Sequence, residues 1–221
     1  MRQTRRMADN RRPIWQPGTP VALLLAGLFL ATLATAWVQI VVAEHSWSYG
    51  GWRITYAAGF LRRGLSGSLI DALPISPSIA VFLVVAVATA LLYQATWCLT
   101  RGATPALLLC LASPAALLFP IGDPEGAFRG ELLFLALFAQ MLRLQQSGQT
   151  SLIPSLSLLL PVLVLIHEIT LFLLPALLPI LAANWQSRRL RIAVAGTAVA
   201  AGALLISPAT PEQMATLCAA P

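Results

Sequence analysis

The sequence predicts an all-α protein, a polytopic bundle of transmembrane helices. Three observations carry that reading. Of 221 residues, 58% are hydrophobic and only 10% charged, against about 25% charged in a soluble domain. The mean hydropathy is +0.79. Uncharged runs reach the roughly 20 residues needed to cross hydrocarbon. A soluble core of this size could not hide so much apolar surface, which excludes disorder and a disulfide scaffold. Cys98, Cys110 and Cys218 have no metal or disulfide spacing.

The net charge of +6 does not point to a nucleic-acid partner. All 14 cations are arginine, and five stand among the first twelve residues, before an apolar run. Such a cluster is a cytoplasmic retention signal. Residues 1–19 therefore read as a cytoplasmic tail and 20–221 as one membrane domain. An arginine-only composition is that of a GC-rich bacterial genome, so the expected location is a bacterial inner membrane, crossed several times.

Val21–Ala43 is 23 residues without charge and reads as the first span. The run continues past Ala34-Thr35-Ala36, so it is too long for a signal peptide. An external loop over 44–76 follows. Within it, Leu61, Leu65, Leu69 and Leu73 recur at i,i+4, which predicts an amphipathic helix lying flat on the membrane. A second span starts at Pro77, a residue suited to a first helical turn. Gly102–Gly122 would be a third, kinked at Pro114. Leu132–Leu142 is too short to cross unless the helix extends into Arg129 and Glu131. After a cytoplasmic linker at 144–151, Leu152–Ser187 is interrupted only by His167 and Glu168, and four prolines favour broken helices there. Ile192–Pro211 closes the chain. About seven spans, in the range five to seven, fit this pattern.

With seven spans, ten of the fourteen arginines fall inside and seven of the eight acids outside. The acids and the His-Glu pair thus collect at the outward end. Arg62 and Arg63 are a candidate phosphate clamp for a lipid head, or else snorkelling anchors. Asp123, Glu125, Arg129 and Glu131 crowd the next external segment. Glu125 and Arg129 have the spacing of a helical ion pair. The three carboxylates are the ligand class for a divalent cation such as magnesium or manganese. His167-Glu168 is the sharpest feature, because ionisable groups inside an apolar stretch are costly and usually have a role. It reads as a general base, a proton relay or a metal ligand, or else as a wetted helix end. Leu171 stands where a zinc-protease motif needs its second histidine. Gly64-Leu65-Ser66-Gly67 matches the nucleophile motif of rhomboid intramembrane proteases, with His167 as their base, but precedes the second span rather than following several.

Gly59-Phe-Leu-Arg-Arg-Gly-Leu-Ser-Gly67, Phe128-Arg-Gly-Glu-Leu-Leu133 and His167-Glu-Ile-Thr-Leu-Phe-Leu-Leu-Pro175 together resemble uncharacterised polytopic bacterial membrane proteins. Some of these look like lipid-linked-sugar glycosyltransferases of the GT-C type. That resemblance implies an acidic base in the first external loop, where Glu44 stands beside His45 rather than beside a second acid. It implies a polyprenyl-phosphate sugar donor among the membrane lipids, with Arg62, Arg63 or Arg129 balancing the phosphate. The chain is shorter than a typical member, which implies a reduced relative or a fragment. The alternative is a non-catalytic accessory subunit with a membrane-protein partner, or a small transporter, that uses His167 and Glu168 as a polar contact between helices.

Overall fold

The computed structural model describes residues 19–44, 47–57, 64–100, 109–113, 116–206 and 210–211. Every regular element among them is helical. Three helices are long and apolar enough to cross a membrane: Val21–Val42, Pro77–Leu99 and Arg188–Ile206. Their outer faces expose Leu23, Leu30, Val87 and Val199, an apolar surface suited to hydrocarbon rather than water.

The first helix, α1 (Thr19–Trp37), continues without a break into π-helical turns at Val38–Val42. A short helix, α2 (Trp47–Trp52), leads to α3 (Gly64–Asp71). The flat-helix expectation falls on α3, and its Leu61 end lies outside the described residues. Gly64, Ser66, Gly67 and Ile70 form the buried face. Leu69 and Leu73 are exposed and Leu65 is half-buried, so the leucine stripe looks away from the protein. Helix α4 (Pro77–Leu99) begins at the expected proline.

In the expected third span, residues 102–108, 114 and 115 lie outside the described ones. Its described end is α5 (Phe119–Gly122), followed by α6 (Pro124–Ala127). Helix α7 (Glu131–Gln146) has 16 residues, about 24 Å of helix. It does extend to Glu131, but stays shorter than the roughly 30 Å of a hydrocarbon core.

Residues 150–183 are broken into pieces. These include α8 (Ile153–Ser157), α9 (Leu160–Ile166), α10 (Thr170–Leu173) and α11 (Leu178–Ala183), with 3₁₀ turns at Thr150–Leu152 and Leu174–Leu177. Pro154, Pro161, Pro175 and Pro179 each take the second position of a piece. Proline lacks the N–H that a continuing helix needs, so each one starts a segment instead. The last helix is α12 (Arg188–Ile206).

The contacts define two ends. At one, Trp52 Nε1–H donates to the Phe128 carbonyl at 2.7 Å, and Gly130 backs onto His167. At the other, Asn184 Nδ2 donates to Gln145 Oε1 at 3.2 Å, and Arg189 Nη1 donates to Ser155 Oγ at 2.8 Å. Helices α4 and α7 run side by side in the same direction between them. Val81, Val85, Phe128 and Leu132 share one core with Trp52. Further along, Gln140 Nε2 donates to the Leu91 carbonyl. The α8–α9 segment climbs back along α7 to His167, the chain returns through α10 and α11, and α12 climbs beside α9. Phe134, Met141, Leu160 and Leu190 share the core of that second half.

Candidate functional site

His167 ends α9, because its backbone swings out to φ −154° and ψ 116°. Its N–H still donates to the Leu163 carbonyl at 2.9 Å, and the Thr170 hydroxyl caps the same carbonyl at 3.3 Å. The side chain that this break presents is 7% exposed. Its Nδ1 accepts from the Ile169 N–H at 3.4 Å. In a neutral imidazole that places the proton on Nε2. Nε2 lies 3.6 Å from Glu131 Oε2, and the Glu131 side chain is 20% exposed. Glu131 opens α7, where the helix dipole favours a carboxylate. Its Oε2 is buried and makes no hydrogen bond among the described residues.

Gly130 permits this approach. A Cβ there would stand 3.0 Å from His167 Cβ and 3.2 Å from Ile166 Cγ2, tighter than ordinary packing.

Glu131 also lines a cavity of about 300 Å³ between α1, α4 and residues 116–135. Thr89 contributes a buried hydroxyl that makes no hydrogen bond among the described residues. Deeper in, Thr32 Oγ1 and Tyr93 OH are 3.1 Å apart, and Tyr93 OH donates to the Leu117 carbonyl. The remaining walls are largely apolar. The cavity therefore combines a carboxylate, backed by an imidazole, with a hydroxyl-lined floor. That chemistry can accept and return a proton next to an amphiphile.

The other expected residues distribute as follows. Arg129 has a buried Nε without a hydrogen bond among the described residues, and its guanidinium lies over the Trp47 ring at 5.9 Å. The expected Glu125–Arg129 helical pair does not form. Helix α6 stops at Ala127 and Phe128 turns away at φ −100°, ψ 41°, which removes the i,i+4 geometry. Asp123 is exposed and caps α6, accepting from the Gly126 N–H at 3.1 Å. Glu125 is exposed as well. Asp123 and Glu125 thus do not gather with Glu131 into the expected cation site. Among the described residues no group of three His, Cys, Asp or Glu side chains is placed to hold a metal. Glu168 is half-buried beside His167. Glu44 is exposed, at φ 42° just beyond the π turns, and is not among the residues lining the cavity. His45, Arg62 and Arg63 lie outside the described residues.

The rhomboid-like Gly64-Leu65-Ser66-Gly67 has a packing explanation. A Cβ at Gly64 would strike the Tyr56 ring, and one at Gly67 the Ile54 carbonyl. Gly67 N–H donates to that carbonyl at 3.1 Å, and Tyr56 N–H donates to Ser68 Oγ at 3.0 Å. Burial raises the Tyr56 phenol above its ordinary range.

The sequence reading did not single out Gly130, Thr32, Thr89 or Tyr93. A polar residue inside an apolar span was the only available signal for the last three. No family model, curated protein or solved structure matches the chain.

Proposed function

We propose that the chain is a multi-pass membrane enzyme whose Glu131–His167 pair performs acid–base chemistry on a lipid-linked substrate at the outward face. The observation that carries this reading is the pair itself. A half-buried carboxylate, whose buried oxygen accepts no hydrogen bond among the described residues, stands 3.6 Å from a buried imidazole and lines a cavity. A buried ionisable group is costly unless it is paired, and such groups usually have a role.

The membrane frame is five to seven spans in a bacterial inner membrane, with the N-terminus and Arg188–Arg191 cytoplasmic. The arginine asymmetry favours that orientation. The chemistry is transfer from a polyprenyl-phosphate sugar, in the manner of GT-C enzymes. Glu131 takes the proton of an acceptor hydroxyl as its oxygen bonds to the anomeric carbon. The bond from that carbon to the phosphate oxygen breaks, and its electron pair leaves with the lipid phosphate. Arg129 balances the added charge, and His167 orients the carboxylate through its Nε2–H. In this reading Glu131 takes the role that the family resemblance assigns to Glu44.

The test uses the full chain in lipid nanodiscs with polyprenyl-phosphate monosaccharides. Released polyprenyl phosphate is counted, with water or an added sugar as acceptor. The wild type is expected to release it, and Glu131→Gln to lower the rate by about 10²–10⁴-fold. A Glu131→Gln rate equal to wild type, or no release by the wild type, removes the reading. The second reading is a non-catalytic accessory subunit. It is favoured by the same pair joining α7 to the α9–α10 break, as a purely structural contact would. It then takes the lead.

A further inference from the structure

A second cavity, about 410 Å³, runs between α4, α7 and α8–α9, from Leu133 and Leu163 near His167 to Arg143 towards the opposite end. Its walls are apolar, formed by Val87, Leu91, Leu137, Leu144, Leu156 and Leu163. Its volume falls within the roughly 300–1,000 Å³ of ligand pockets. One charged side chain lines it, Arg143, together with the hydroxyl of Ser155.

Arg143 is held from behind. Its Nε donates to Gln140 Oε1 at 2.9 Å, and Gln140 Nε2 is anchored to Leu91 O and Gln94 Oε1. The two terminal nitrogens of Arg143 make no hydrogen bond among the described residues. Arg189, on α12, donates to the Oγ of Ser155 at 2.8 Å. One guanidinium therefore lines the apolar groove, and a second is bonded to a residue that lines it.

No described carboxylate answers them. Glu44, Asp71, Asp123, Glu125, Glu131 and Glu168 all sit toward the His167 end. Arg188, Arg189 and Arg191 moreover occupy the first turn of α12, where no acid is present and the helix dipole disfavours cations. Among the described residues, no carboxylate balances this charge.

We infer that this groove binds an anionic phospholipid of the phosphatidylglycerol type. An acyl chain lies along the leucine and valine walls, and the phosphate sits between Arg143 and Arg189. Guanidinium matches phosphate oxygens in a planar, two-bond geometry. The apolar walls select a lipid over a free phosphate ion. The site is independent of the Glu131–His167 chemistry and stands if that reading fails.

The experiment uses the full-length protein in a neutral detergent, with native mass spectrometry and melting as readouts. Phosphatidylglycerol is titrated against phosphatidylcholine. The wild type is expected to retain phosphatidylglycerol preferentially and to melt higher with it. Arg143→Gln with Arg189→Gln should weaken that binding by about tenfold or more. Arg188→Gln with Arg191→Gln removes the same charge from the neighbouring surface and should weaken it far less. Equal losses in the two pairs would reduce the effect to general surface charge and overturn the site. Val87→Trp fills the groove from an exposed position and leaves the arginines intact. It should lose the lipid while its melting without lipid stays at the wild-type value; retention of the lipid by this variant overturns the acyl-chain placement. Inorganic phosphate alone giving the same stabilisation overturns a lipid ligand. Self-cross-linking through Val87→Cys would assign the groove to a second copy of the chain and overturn it as well.

Discussion

His167 Nε2 faces Glu131 Oε2 at 3.6 Å across a gap that exists because residue 130 has no side chain. One is the last residue of a broken helix and the other the first of a continuous one. Their meeting turns two chain ends, 36 positions apart in the sequence, into a single acid–base unit. The imidazole is the polar neighbour of the buried Glu131 Oε2, which would otherwise be costly to keep from water.

Gly130→Ala tests the gap directly. The added Cβ meets His167 Cβ at 3.0 Å, and a β-carbon cannot swing aside as the tip of a long side chain can. The expected result is a loss of about 1–3 kcal/mol of stability, read as a lower melting temperature in detergent. A variant that melts with the wild type would show that the 129–131 turn does not pack against His167.

The pair should also be coupled energetically. His167→Gln and Glu131→Gln, made singly and together, form a double-mutant cycle. Contacting residues in one polar unit couple by about 0.5–3 kcal/mol. Additive losses in melting stability would mean that the two side chains do not interact.

Two glycines that look alike in the sequence should behave oppositely. Gly67→Ala drives a Cβ into the Ile54 carbonyl, which is backbone and cannot yield cheaply. It should cost about 1–3 kcal/mol and free the 53–57 segment from α3. Gly51, inside α2, has open space where a Cβ would go. Gly51→Ala should therefore be neutral or stabilise by up to about 1 kcal/mol, since alanine favours a helix. Comparable losses at both positions would contradict the packing of α3.

These cases mark how far the sequence was legible. Pro77 announced the start of α4, and the prolines between 154 and 179 announced where the later helices break, because a missing N–H acts locally. His167 and Glu131 were visible as misplaced ionisable groups. Their pairing was not visible, since nothing local says which turn approaches which. The Glu125–Arg129 pair failed for a related reason. The spacing was right, but the helix that would make it useful ends two residues before Arg129. The cavity hydroxyl of Thr89 was invisible, because one threonine in an apolar helix carries no address.

Trp52 ties α2 to the turn before α7. Its Nε1–H donates to the Phe128 carbonyl at 2.7 Å, and the ring is 3% exposed. Trp52→Phe keeps most of the packing and removes the donor. The buried carbonyl then loses its partner, at a cost of about 1–3 kcal/mol. A melting temperature unchanged by this substitution would show that the carbonyl finds water instead.

Orientation follows from the separation of the two ends. Gly50 and Ala72 lie on the segments around Trp52 and α3. Ser147 and Gln186 lie beside Gln145 and Asn184, whose side chains bond each other. The second pair shares its end with Arg143, Arg188, Arg189 and Arg191, so positive-inside bias assigns it to the cytoplasm. With Cys98, Cys110 and Cys218 replaced by serine, single cysteines at these four positions should divide cleanly. A membrane-impermeant maleimide applied to spheroplasts is expected to label Gly50→Cys and Ala72→Cys. Ser147→Cys and Gln186→Cys should react only after the membrane is opened. This holds for five spans as well as seven, because removing two crossings keeps Arg188 on the same side. Labelling of Gln186→Cys from outside would therefore reverse the orientation whatever the number of spans, and would place the Glu131–His167 cavity on the cytoplasmic face.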